Sequence, residues 1–139
     1  MKKLFIYPFL LVLLVATACV KTTQNQVPLP SGTFTGPFTR IHLNSVTGKL
    51  DTAKANIILT MSASTGYKVT GDTSKVQAGS YGSYIADGTY IQFIDQSATA
   101  TATAKTHLNG IYQYQYNGST LNIYGSTDTV GFTYTLKSN

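Results

Sequence analysis

Leu108-Asn109-Gly110-Ile111-Tyr112-Gln113-Tyr114-Gln115-Tyr116-Asn117-Gly118 is the stretch that decides the fold. Leu108, Gly110, Tyr112, Tyr114 and Tyr116 alternate with Asn109, Ile111, Gln113 and Gln115, and only a strand turns a period of two into two faces. Asn117-Gly118 supplies the backbone of a tight hairpin turn, so the chain is expected to reverse there. Downstream, Thr120–Tyr124 puts Leu121 and Ile123 on one face. Thr129–Lys137 follows, with Val130, Phe132, Tyr134 and Leu136 facing one way and Gly131, Thr133, Thr135 and Lys137 the other. A slip of one residue would turn that whole apolar set to water, which fixes the register.

The same grammar holds upstream. Ala55, Ile57, Leu59 and Met61 form one face of a strand ending at Ser64-Thr65-Gly66, and Tyr67 and Val69 belong to a short strand ending at Gly71-Asp72. Gly79–Ile85 and Tyr90–Asp95 read as a hairpin around Ala86-Asp87-Gly88, with Ile91 and Phe93 inward. The first strand, Thr33–Leu43, changes phase: Phe34 and Phe38 are even, Ile41 and Leu43 odd. A bulge near Gly36-Pro37, or just after Phe38, is the expected remedy. The Ala/Thr run Ser97–Ala104 also alternates and is read first as a loop, with a strand extension as the alternative. No window has helical apolar spacing. Eight strands in sequence predict an all-β fold, an antiparallel up-and-down meander closed into a small barrel, with a β-sandwich as the alternative.

Composition narrows the chemistry. The 139 residues contain one Cys, which excludes an internal disulfide and a Cys-based zinc cluster. All five acidic residues are Asp, and only 11% of the chain is charged. Beyond Lys2-Lys3 the lysines stand singly with no interleaved aromatics, so no nucleic-acid surface is expected. A nucleophile-elbow Gly-x-Ser-x-Gly, a phosphate loop and a metal-carboxylate cluster are all lacking. The chain is therefore expected to be non-enzymatic, with no cofactor, metal or catalytic residue. His42 and His107 lie in similar contexts, Ile41-His42-Leu43-Asn44 and Thr106-His107-Leu108-Asn109. They are expected to face solvent from strands, opposite the leucines. The competing readings are a two-His metal site completed by Asp, and a hydrolase with Ser or Asp beside one histidine.

The amino terminus reads as an address. Met1-Lys2-Lys3 is basic, and Leu4 to Ala16 is an apolar run about 20 Å long as a helix. A bilayer core of about 30 Å is too thick for it to span. It ends in Ala16-Thr17-Ala18-Cys19, the small-residue signature of a cleavage site. This stretch resembles a bacterial lipoprotein signal with its lipobox, with Ala16 where Leu is usual. The resemblance implies cleavage of residues 1–18, lipidation of Cys19 and attachment to a membrane through that lipid. Removing Lys2 and Lys3 lowers the formal charge from +5 to +3. Residues 19–31 carry Pro28 and Pro30 with no periodicity and read as a tether. No acidic cluster follows the cysteine, so the expected location is the outer membrane, facing the periplasm. Residues 32–139 form a single domain.

Gly32-Thr33-Phe34, Gly88-Thr89-Tyr90-Ile91-Gln92-Phe93, the Leu108–Tyr114 alternation and Phe132-x-Tyr134-x-Leu136-Lys137 together resemble the small lipocalin-like lipoproteins of Bacteroidota. The lipocalin Gly-x-Trp opening is Gly32-Thr33-Phe34 here, and no room is left for a C-terminal helix. Phe34, Phe38, Tyr67, Phe93, Tyr112, Tyr114, Phe132 and Tyr134 fall on inward faces, where they would line a cup for one small apolar ligand. The alternative is an interior filled by these side chains. The protein would then be a structural or protein-interaction module of the envelope, with an outer apolar patch near Ile58, Ile94 and Ile111. Asp51-Thr52-Ala53 and Asp128-Thr129-Val130 match an Asp-Thr-apolar sequon resembling that of exported Bacteroidota proteins. Thr52 and Thr129, both in expected turns, are candidate O-glycosylation sites.

Overall fold

The computed structural model describes residues 29–98 and 105–139. It contains eight strands: β1 (Gly32–Leu43), β2 (Leu50–Ser62), β3 (Gly66–Gly71), β4 (Tyr81–Ala86), β5 (Tyr90–Asp95), β6 (Gly110–Tyr116), β7 (Thr120–Ser126) and β8 (Val130–Ser138). Each pairs antiparallel with the next and β8 returns to β1, closing a small lipocalin-like up-and-down barrel. Closure removes the free edges that an open sheet of this length would present to other chains.

The two ends differ. At the near end, where the chain enters at Ser31, the connections are short. Asp87 Oδ1 accepts hydrogen bonds from the amides of Thr89 and Tyr90 in the β4–β5 turn. Asn117 Oδ1 does the same for Ser119 and Thr120 between β6 and β7. In both turns a glycine follows at positive φ, Gly88 and Gly118. At the far end lie the β1–β2 and β7–β8 turns and two long connections, β3–β4 and β5–β6. The long ones meet through a parallel bridge between Gln77 and Thr106.

Inward positions carry the core: Phe34, Ile57, Leu59, Ile91, Phe93, Leu121, Ile123, Tyr134 and Leu136 are buried completely or nearly so. Alternation thus holds as expected along β2, β5, β7 and β8. Four expectations need correction. First, β1 has no bulge: its register against β2 runs unbroken from Gly32↔Met61 to Leu43↔Leu50. Ile41 and Leu43 point outward and are exposed, whereas Arg40 and His42 occupy the inward phase. What changes toward the far end is the environment, because inward positions leave the apolar core there and meet the polar connections. Arg40 Nη1, for example, donates to Thr106 Oγ1 at 3.5 Å.

Second, Gly36-Pro37 marks a close approach. A Cβ on Gly36 would collide with the backbone carbonyl oxygen of Thr135 on β8, and the β1–β8 ladder skips both residues. Pro37 has no amide to contribute to that ladder. Third, Asp51 and Thr52 lie within β2 rather than in a turn. Fourth, Gly79 and Ser80 belong to the β3–β4 connection, and β4 starts at Tyr81. Residues 99–104, most of the Ala/Thr run, are outside the described residues.

Three strand glycines test this account. Gly36→Ala and Gly82→Ala each place a methyl group against a backbone carbonyl, of Thr135 and Ile94 respectively. Gly131→Ala meets nothing within 4 Å. Urea unfolding is expected to show a loss of about 1–3 kcal/mol for each of the first two, and a change within about 0.5 kcal/mol for the third.

Candidate functional site

All eight aromatic residues proposed to line a cup do point into the barrel, and seven are buried, with Phe132 half-buried. They meet one another. Phe38 and Tyr134 have ring centroids 4.6 Å apart, Tyr67 and Phe93 4.9 Å, Phe93 and Tyr112 6.0 Å, and Tyr112 and Tyr134 6.4 Å. Edge-to-face and tilted contacts of this kind add roughly 0.5–1.5 kcal/mol each beyond burial of area. Phe34, Phe38 and Tyr134 are 0% exposed, leaving no room beside them for a water-sized probe. The rings occupy the space they enclose.

Three of their hydroxyls, those of Tyr67, Tyr112 and Tyr134, are directed at the far end. Tyr67 Oη donates to the carbonyl of Leu108 at 2.5 Å, Tyr112 Oη to that of Asn109 at 2.9 Å, and Tyr134 Oη to Gln77 Oε1 at 3.1 Å. Gln77 is fully buried, and its Nε2 donates to the Ala78 carbonyl. Ala78 N donates to Thr106 O at 2.8 Å and Thr106 N to Val76 O at 2.7 Å. The described parts of the two long connections, residues 72–80 and 105–109, therefore form a lid, in which Leu108 is fully buried. Burial pushes the phenols of Tyr67, Tyr112 and Tyr134 above their ordinary value, so they stay protonated as donors. Among the described residues, Ser80 Oγ and Tyr114 Oη are buried without a hydrogen-bond partner. Ser80 belongs to the lid, whereas the amide of Tyr114 bonds Thr89 beside the near-end turn. They do not converge as the polar groups of a ligand site do.

A second cluster was only half legible. Asp95 Oδ2 lies 2.7 Å from His107 Nδ1. Asp95 Oδ1 accepts from the amide and hydroxyl of Ser97 at 2.8 and 2.6 Å, and Asn109 Oδ1 accepts from Asp95 N at 3.1 Å. These contacts join the two feet of the β5–β6 connection. The expectation for His107 is thus corrected: it lies outside any strand and is bound to a buried carboxylate. His42 is exposed near the end of β1. Among the described residues no three His, Cys, Asp or Glu side chains group as a metal site. The Asp95–His107 pair supplies what the hydrolase reading asked for, but Ser97 Oγ donates to Asp95 and not to the imidazole. The arrangement secures a loop, whereas a nucleophilic serine must hydrogen-bond the histidine. The sequence signal was an Asp closing β5 and a His opening the return to β6, with no spacing rule to join them.

The remaining candidates lie elsewhere. Thr52 on β2 and Thr129 in the β7–β8 turn are both exposed. Cys19, the signal segment and the tether as far as Pro28 are outside the described residues. Where the chain enters, Pro30 is buried and its carbonyl accepts from Tyr84 Oη at 3.0 Å. Ile58, Ile94 and Ile111 all face outward; Ile58 is on β2, away from the other two on β5 and β6. Compared with known proteins, the chain matches no protein-family model, no curated protein and no solved structure.

Burial opposes the charge on Asp95, but the hydrogen bonds from Ser97 and His107 outweigh it and hold the carboxyl below its ordinary range. A lowered carboxyl contributes stability above its unfolded pKa, near 4, and that contribution is lost as pH falls through the folded value. Thermal melts from pH 7 to pH 2 should therefore show wild type losing stability below about pH 4. Asp95→Asn should begin lower at pH 7 and converge on wild type in acid; parallel curves would remove Asp95 from the account.

Proposed function

We propose that this chain is a lipid-anchored, non-enzymatic protein of the bacterial envelope, whose barrel is a rigid interaction module rather than a carrier of a small apolar ligand. The observation that carries this reading is the bonding of the Tyr67, Tyr112 and Tyr134 hydroxyls to the lid. A carrier needs an interior that opens and polar groups that remain for the ligand. Here the rings fill the interior, and those hydroxyls hold the lid closed.

The anchoring part rests on the Ala16–Cys19 motif and on where the folded domain begins. The tether joins the near end, where Ser31 Oγ donates to the Met61 carbonyl. Attachment through Cys19 would leave the lid and most of the outer wall projecting away from the bilayer. Twelve residues of extended chain reach at most about 40 Å, enough to hold a small domain clear of the surface.

Two measurements test the two halves. Cys19→Ser should move the protein from the detergent-rich to the aqueous phase on detergent partitioning, with the domain still folded. Unchanged partitioning would remove the lipid anchor. Thermal melts of the full chain with palmitate or 1-aminoanthracene in excess should shift by less than about 1 °C, whereas occupancy at 100 times Kd is worth about 2.7 kcal/mol, roughly 10 °C or more for a domain of this size. A shift of that size would restore the carrier.

A further inference from the structure

The outer wall of the barrel is chemically lopsided. Along β4 to β8 the outward positions carry one charged side chain, Lys137, at the near end. Lys54 and Lys68 lie on the outward faces of β2 and β3. The uncharged side holds much of the exposed apolar surface: Ile85 is 65% exposed, Ile111 67% and Tyr90 46%.

One row of this wall is ordered. Tyr90 pairs with Gln113, Gln113 with Tyr124, and Tyr124 with Thr133, so four outward side chains stand abreast on β5, β6, β7 and β8. The two tyrosines are separated by two strand spacings, about 10 Å. On the lid side of this row the wall splits. The β6–β7 ladder stops at Gln113↔Tyr124, while β5–β6 pairing continues to Phe93↔Gly110 and β7–β8 pairing to Ser126↔Gly131. Gly125 and Gly131 have no side chains to fill the gap. The ring of Tyr112 closes it from inside, lying where a Cβ on Gly125 would be 2.6 Å from a ring carbon. The result is an open cleft of about 540 Å³ whose lining includes Tyr90, Ile111, Gln113, Tyr124, Ser126 and Thr133.

The lining selects its occupant. It bears no charge, so a charged ligand would lose hydration with no counter-ion to meet it. A purely hydrocarbon ligand would cover Gln113, Ser126 and Thr133 and leave their polar groups unpaired, at about 1–3 kcal/mol each. A pyranose ring matches both requirements: one face is C–H, suited to lying on a tyrosine ring, and its rim carries hydroxyls that donate and accept. We propose that the split between β6 and β7 binds a neutral saccharide, with Tyr90 and Tyr124 as stacking rings and Gln113, Ser126 and Thr133 as hydrogen-bonding groups. This names the partner class of the interaction module described above, and rests on that reading in taking the outer wall as the working surface.

The test is calorimetric titration of the full chain in detergent with maltohexaose, cellohexaose, laminarihexaose and mannohexaose, and with oligogalacturonate as the charged control. At least one neutral hexasaccharide should bind and the charged one should not. Tyr90→Ala and Tyr124→Ala should each weaken binding about tenfold or more, with melting temperature unchanged because both side chains lie outside the core. Gln113→Leu, which keeps area and removes polarity, should also weaken it, whereas an apolar or protein partner would gain from that change. Absence of binding by all four neutral sugars at millimolar concentration overturns the proposal. So does a dimer in light scattering that Tyr124→Lys dissolves, since the wall would then serve a second copy of the chain. Either result leaves the filled interior standing, and a melting shift with palmitate would overturn that reading on its own.

Discussion

An eight-stranded barrel is either packed with its own side chains or holds one small ligand, and every tyrosine that points into it brings a hydroxyl needing a partner. The arrangement of the far end follows from that constraint. Tyr67, Tyr112 and Tyr134 cannot satisfy their hydroxyls from one another's rings, so polar backbone must be brought over the barrel mouth. The β3–β4 and β5–β6 connections supply it, through the Leu108 and Asn109 carbonyls and the buried amide of Gln77. The lid segments are held together by the Gln77–Thr106 bridge, and Asp95 with His107 fixes the feet of one of them. Removing any one partner leaves a buried polar group unsatisfied, which couples the lid to the core.

How much of this could be read from the sequence depends on the range of the interaction. Strand identity and facing are local properties, so the alternation through Tyr112–Tyr116 and Val130–Leu136 located β6 and β8 to within a residue or two. Hairpin order followed from Asn117-Gly118 and Asp87-Gly88, and order with eight strands implied closure. Along β1, polarity does not mark facing. The strand's inward phase continues through Arg40 and His42 past the apolar core, while Ile41 and Leu43 stay exposed. The change of phase predicts a bulge near Gly36-Pro37 or just after Phe38, because local sequence cannot distinguish extra backbone from the close passage of another strand.

The site was less legible for the same reason. That Tyr67 and Tyr134 face inward is local; that their hydroxyls are taken up by residues 41 and 57 positions away is not. Asp95 and His107 are joined by the closure of one loop, and neither residue carries a neighbouring pattern that announces the other. Composition shows a low charge content, but the uncharged outer wall emerges only once strand pairing sets Tyr90, Gln113 and Tyr124 side by side.

The central claim, that the interior is closed and that the hydroxyls of Tyr67, Tyr112 and Tyr134 are engaged by the lid, has a direct spectroscopic readout. In proton NMR of the full chain in detergent, a hydroxyl proton that is buried and hydrogen-bonded exchanges slowly enough with water to be seen. Such resonances are expected for Tyr67 and Tyr134, with cross-relaxation from Tyr67 to Leu108 and from Tyr134 to Gln77. Absence of both resonances, together with water cross-peaks to the Phe38 and Phe93 rings, would show an open, hydrated cup and contradict it.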